Sequence, residues 1–199
     1  MKNGSVISLM TTACGGPLPA DVEWMIYRGA LLVIALTGCA TTTSKLKLPP
    51  LPTVAQVDLS HYVGTWFEIA SFPQWFQRGC VATTATYTAR PDGEIEVWNQ
   101  CRKNTLDGKP KSSRGRARVV DRTTHAKLEV SFFRPFWAPY WIVDLADDYS
   151  YAVVGHPSRD YLWILSRTPR LDESRYRDIV ARLQANGYET ARLQRTLQP

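Results

Sequence analysis

The stretch Asp58-Leu59-Ser60-His61-Tyr62-Val63-Gly64-Thr65-Trp66-Phe67-Glu68-Ile69-Ala70 opens the part of the chain whose pattern decides the fold. From it onward the sequence reads as short strands at close spacing. Candidate strands are Thr65–Ser71, Val81–Ala89, Glu94–Cys101, Ser113–Asp121, Ala126–Phe133, Tyr140–Ala146, Ser150–His156 and Tyr161–Arg167. Turn residues separate them: Pro91-Asp92-Gly93, Asp107-Gly108, Asp147-Asp148 and His156-Pro157-Ser158. Several runs alternate, as where Lys127, Glu129 and Ser131 interleave with Leu128, Val130 and Phe132. Such a strand wets one face and buries the other, as in an antiparallel sheet. Eight of them predict an all-β, eight-stranded up-and-down barrel able to hold one small ligand.

A helix follows. Asp172 or Ser174 can cap it, Tyr176, Ile179, Val180 and Leu183 form an apolar stripe, and Gly187 can end it. Arg175, Arg177, Asp178 and Arg182 occupy the other side, so this C-terminal helix is expected to pack outside the barrel. The chain has 199 residues, 44% hydrophobic and 21% charged, with 12 Gly and 13 Pro, which are ordinary globular proportions. Its formal charge of +6 comes without a run of five or six basic residues, so nucleic acid is not an expected partner. Seven Trp and nine Tyr say more, because large aromatics line apolar cavities.

Ahead of the strands lies one apolar run, Ala30-Leu31-Leu32-Val33-Ile34-Ala35-Leu36. It is too short to span a bilayer, which takes about 20 residues, but it fits the apolar core of a secretory signal behind Arg28. The tetrad Leu36-Thr37-Gly38-Cys39 resembles the bacterial lipobox, which implies cleavage before Cys39 and acylation of that cysteine. The long polar stretch before it leaves Met25 open as a later start. Residues 1–38 are thus read as a removed signal and 39–57 as a lipidated tether. Residues 58–199 are read as the folded domain. Thr41-Thr42-Thr43-Ser44 and Pro49-Pro50-Leu51-Pro52 suit such a tether. Ala40 after the cysteine, where Asp would favour the inner membrane, implies a lipid anchor in the cell outer membrane.

Cys80 and Cys101 remain in the exported part, where disulfides can form. A hairpin centred on Pro91-Asp92 places Cys101 opposite Ala82, on the same face as Cys80. A small bulge then permits a bond between them. A reactive thiol pair or a single nucleophilic cysteine is the alternative.

The opening stretch, with its Gly64-Thr65-Trp66, resembles the first strand of lipocalins. Val130-Ser131-Phe132-Phe133-Arg134-Pro135-Phe136, Tyr151-Ala152-Val153-Val154-Gly155-His156-Pro157 and Tyr161-Leu162-Trp163-Ile164-Leu165-Ser166-Arg167-Thr168-Pro169 are similar to bacterial outer-membrane lipocalins, relatives of apolipoprotein D. The likeness runs from about Asp58 to Leu197. It implies that Trp66 plugs the closed end, with Arg167 across its indole and Gly64 letting the backbone pass. One departure is Asp147-Asp148-Tyr149, where the family often has Thr-Asp-Tyr.

The resemblance implies a lipid-binding protein rather than an enzyme. It would store or transport fatty acids or lysophospholipids for membrane maintenance under stress, with no cofactor, and held to the membrane through Cys39. A homodimer is left open. His61, His125 and His156 show no metal-ligand or catalytic spacing. Two other classes stay in view: an enzyme using a cavity cysteine, and a surface interaction module without a ligand. Alternation nominates the lining. Leu128, Val130 and Phe132 face inward on one strand; Ile95, Val97 and Asn99 do so on another; Leu165 and Trp163 follow by counting back from Arg167. Trp75, Phe76, Phe136, Trp137 and Tyr140 are expected at the mouth, with Tyr140 and Asn99 orienting a headgroup.

Overall fold

A computed structural model describes residues 48–199; the expected signal, Cys39 and the first part of the expected tether lie outside the described residues. The strands are β1 (Gly64–Ser71), β2 (Cys80–Ala89), β3 (Ile95–Lys103), β4 (Pro110–Val119), β5 (Lys127–Phe133), β6 (Phe136–Leu145), β7 (Tyr151–Gly155), β8 (Leu162–Ser166) and β9 (Gln194–Arg195). Two helices accompany them, α1 (Leu59–Tyr62) and α2 (Glu173–Ala185). Neighbouring strands pair antiparallel in the order β2-β3-β4-β5-β6-β7-β8-β1-β9, and a further β1–β2 pairing closes the sheet into a barrel. A single turn of 3₁₀ helix, Trp75–Gln77, lies in the β1–β2 connection.

The barrel has two apolar layers. Trp66, Tyr62, Tyr87, Val97, Leu128, Ile142, Val154 and Leu165 pack inside it. Ile69, Phe72, Val143, Val153, Leu162 and Ile164 form an outer layer with Ile179 and Leu183 of α2. That helix starts at Asp172, whose carboxylate accepts from the backbone N–H groups of Ser174 and Arg175, satisfying donors the helix cannot pair itself.

Three local features depart from the sequence reading. Residues 48–57 are more than tether: Leu51 and Val57 are buried, and the Val54 and Val57 N–H groups donate to the Ile142 and Thr124 carbonyls. Isolated apolar residues in a proline-rich stretch have no periodicity to show this. Strand β6 begins at Phe136 and runs through Pro139, four residues earlier than expected. Residues 136–140 pair only with β5, and such a one-sided edge tolerates a residue without an N–H. Finally, the β2–β3 hairpin pairs Ala89 with Ile95, one residue off the expected register, and a bulge between Val81 and Thr84 corrects it. Cys80 and Cys101 are thereby brought to a Cα–Cα distance of 5.5 Å and joined in a disulfide.

Strands β1 and β2 pair only from Gly64 to Phe67. Beyond that point the C-terminal segment fills the seam. β9 pairs with Ala70 and Ser71, Ala82 N–H donates to the Leu197 carbonyl, and Gln198 Nε2 reaches the Glu68 and Thr83 carbonyls. The backbone groups left by the parted strands are satisfied in this way.

Candidate functional site: the barrel interior and its mouth

At one end the barrel is shut. Trp66 is fully buried on β1 and its Nε1 donates to the Tyr62 carbonyl. The Arg167 guanidinium lies 3.7 Å above the indole centroid and donates to the carbonyls of His61, Tyr62, Val63 and Thr65. It thus fastens the end of β8 to the turn that precedes β1. Gly64 sits beneath it with φ +98°, and a Cβ there would meet Arg167 Nη1 at 3.2 Å. Just inside this plug, the hydroxyls of Tyr62 and Tyr87 lie 2.7 and 2.9 Å from that of Tyr140. Burial pushes the Tyr87 hydroxyl up to about 12 and moves Tyr62 and Tyr140 well above the ordinary phenol range. All three are held neutral, as hydrogen-bonding partners in an apolar site.

Tyr140 is therefore not a mouth residue, contrary to the sequence expectation; it belongs to the closed end. Trp137 also differs. Counting in twos from the buried Ile142 puts Tyr140, Ala138 and Phe136 on the inner face, which leaves Trp137 outside. There Arg118 stacks 4.2 Å above its ring while also holding Glu129. Both errors follow from starting β6 at Tyr140, since parity can only be counted along a strand whose beginning is known.

The other lining residues take inner-face positions. Val97 and Leu128 are buried inside, with Val130, Phe132 and Trp163 packed partly buried against them. Phe132 leans over Gly115 on β4; a Cβ there would come 2.8 Å from its ring and 2.7 Å from the Ser131 carbonyl. Asn99 pairs with Ala85 and Ser113 on the inner face, and its Oδ1 is buried with no hydrogen-bond partner. Buried polar atoms are normally paired, so an orphan calls for an explanation. Ser113 and Ala138 are exposed although their cross-strand partners, Asn99 and Val130, place them on the inner face. The interior therefore opens to solvent at the end where Trp75, Phe76 and Phe136 stand, all three exposed.

A belt of polar groups crosses the interior and escaped the sequence reading. Glu68 is buried and accepts from Ser71 Oγ, Thr196 Oγ1 and Gln77 Nε2 at 3.0, 2.6 and 2.7 Å. Gln77 in turn accepts from the Trp163 indole N–H at 2.9 Å. Beside the belt, Thr83 Oγ1 and Gln198 Oε1 are buried without partners. The signal for Glu68 is parity: it stands two residues after Trp66 on the same strand, hence on the same face. Thr196 and Gln198 arrive from the far end of the chain, where no local pattern announces them. Among the described residues no cluster of three His, Cys, Asp or Glu is arranged to hold a metal.

The domain model for a lipocalin-like domain matches residues 57–198. Temperature-induced lipocalin-1 of Arabidopsis thaliana is 40% identical over 154 residues, covering 73% of this chain and 81% of the relative. The outer membrane lipoprotein Blc of Escherichia coli K12 is 38% identical over 172 residues, covering 85% and 92%. Among solved structures, insecticyanin of the tobacco hornworm Manduca sexta superposes with a TM-score of 0.60 at 20% identity, covering 75% of this chain and 85% of that one; at that identity the match speaks for the fold.

Proposed function

The chain belongs to the lipocalin-like family, and from that premise and the geometry of the interior we propose that it binds a lipid inside the barrel, as an outer-membrane-anchored lipoprotein. In this reading it stores or carries fatty acids or lysophospholipids for membrane maintenance under stress, and it is not an enzyme. The observation that carries the proposal is the state of the inner face, which is apolar along Val97, Leu128, Val130 and Phe132, open at one end, and furnished with the unpartnered Asn99 Oδ1. An acyl chain laid along Val97, Val130, Phe132 and Trp163 gains about 0.8 kcal/mol for each CH₂ removed from water. A hydroxyl or ammonium of the headgroup would donate to Asn99 and relieve the orphaned oxygen.

Two further points support the same reading. Cys80 and Cys101 are joined, so neither is a free thiolate able to attack a substrate in the cavity. A relative covering 85% of this chain carries the name outer membrane lipoprotein, in keeping with the Leu36-Thr37-Gly38-Cys39 tetrad. Native mass spectrometry of the gently purified protein tests the proposal. The expected spectrum contains a species heavier by one lysophospholipid or fatty acid, and that mass disappears on delipidation and returns on adding the lipid. A protein that neither carries nor takes up lipid sinks the idea.

A further inference from the structure

The open end of the barrel carries an apolar rim that the folded domain leaves uncovered. Trp75 is 83% exposed, Phe133 77% and Phe136 76%, with Phe76 and Leu106 at 40%. All lie at the same end by topology: Trp75 and Phe76 in the β1–β2 connection, Leu106 between β3 and β4, and Phe133 and Phe136 at the turn between β5 and β6. Trp75 and Phe76 hold each other edge to face at 5.7 Å. Exposed aromatics concentrated on one end of a soluble fold mark a contact surface.

The charge around this rim is predominantly basic, with Asp107 and Asp160 the carboxylates in its connecting loops. Arg78, Lys103, Lys109 and Lys111 all lie there, and among the described residues none has a carboxylate partner. Lys103 and Lys111 instead donate to the carbonyls of Arg78 and Phe76, which brings their ammonium groups up to the aromatic turn. Aromatic side chains flanked by Lys and Arg are the combination that suits the boundary between lipid headgroups and acyl chains.

The path of the chain selects the occupant. Arg159 belongs to the β7–β8 connection, at the open end, and its Nη2 donates to the Pro49 carbonyl at 2.8 Å. From there the segment runs to the closed end, where Val57 N–H meets the Thr124 carbonyl. The polypeptide therefore enters the fold beside the mouth. Cys39 precedes Leu48 by nine residues, a span of at most about 30 Å when fully stretched. Lys45 and Lys47 in that span add two more cations.

We infer that the mouth of the barrel docks onto the membrane surface, with Trp75, Phe76, Phe133 and Phe136 seated among the acyl chains and the surrounding Lys and Arg on anionic headgroups. The inference rests on the proposed acylation of Cys39, which keeps the anchor within about 30 Å of the point where the chain enters the fold beside the mouth. Seated this way, the calyx opens directly into lipid, and an acyl chain passes between bilayer and barrel without crossing water. A mouth facing away would expose the chain along its whole path.

Acylated full-length protein, reconstituted into vesicles of phosphatidylethanolamine and phosphatidylglycerol with brominated acyl chains, provides the test. Flotation reads the anchor, and bromine quenching of tryptophan fluorescence reads the docking. Trp75→Leu isolates the contribution of the rim, since an exposed indole can be removed without disturbing the core. The expected result is flotation of both forms, with the bromine-dependent quenching markedly smaller in Trp75→Leu and weakened for the native protein when phosphatidylglycerol is left out. Flotation with equal quenching in the two forms overturns the docking and leaves the anchor standing. Failure to float removes the anchor, and the docking with it.

Discussion

The two ends of the barrel are built from the same residue types and put them to opposite use. At the closed end Trp66 is fully buried, its N–H is paired, and Arg167 ties four carbonyls over it. At the open end Trp75 is 83% exposed, and Lys103 and Lys111 beside it each reach a single carbonyl. An aromatic beside a cation thus makes a lock where burial desolvates both, and a wet surface where it does not. What distinguishes them is the surrounding backbone. Around Trp66 the chain before β1 folds back over the indole through α1, whereas Trp75 sits on a turn that stands clear of the strands.

The sharpest way to break this contrast is to remove the lock. Trp66→Ala is expected to cost roughly 3–5 kcal/mol, the range for deleting a large buried aromatic, and to orphan Arg167 above an empty site. Trp75→Ala at the other end should stay within about 0.5 kcal/mol, as exposed substitutions do. Urea unfolding of both variants measures the difference. Comparable losses at the two ends would refute the distinction.

A second contrast concerns the tyrosines behind the lock. Tyr87 is held at about 12 by burial, whereas an unfolded tyrosine titrates near 10. Because the folded state keeps its proton longer, the stabilisation is intact below pH 10 and is lost as the pH rises toward 12. For Tyr87 alone the loss amounts to roughly 2–3 kcal/mol across that window. Stability measured from pH 9 to 11.5 should therefore fall more steeply for the native protein than for Tyr87→Phe. Equal slopes would mean that Tyr87 ionises in the folded state as readily as in the unfolded chain.

How much of this is legible in the sequence depends on whether a signal is local. The alternation of Leu128 and Val130 with Lys127 and Glu129 is local, and so are the Pro91-Asp92-Gly93 turn and the Asp172 cap; each matches an element of the fold. Parity carries over only from a correct starting point. Counting from Arg167 takes Trp163 and Leu165 to the inner face, but Pro139 hides the first half of β6, and the positions of Trp137 and Tyr140 go astray with it. Glu68 is legible from Trp66 by the same count. Its partners are not, because Gln77, Thr196 and Gln198 reach the interior through a turn and a tail whose sequences have no period. The seam between β1 and β2 is likewise invisible: nothing in either strand announces that they part after Phe67.

The smallest effect compares two tryptophans of the same barrel and sharpens the line between wall and surface. Trp163 packs against the inner layer and donates to Gln77, while Trp137 lies outside beneath Arg118. If the ligand occupies the interior, Trp163→Ala removes wall area from contact with the acyl chain and frees Gln77. Its affinity for a fluorescent fatty acid should fall about tenfold, equivalent to about 1.4 kcal/mol. Trp137→Ala loses only a solvent-side stacking contact worth about 0.5–1 kcal/mol of stability, and its affinity should stay within about twofold. Titrations of both variants, with circular dichroism to verify folding, decide the matter. An equal fall in both would mean that binding follows the stability of the barrel rather than its lining. A fall in Trp137→Ala alone would move the ligand to the outer surface of β6, where Arg118 and Glu129 wait.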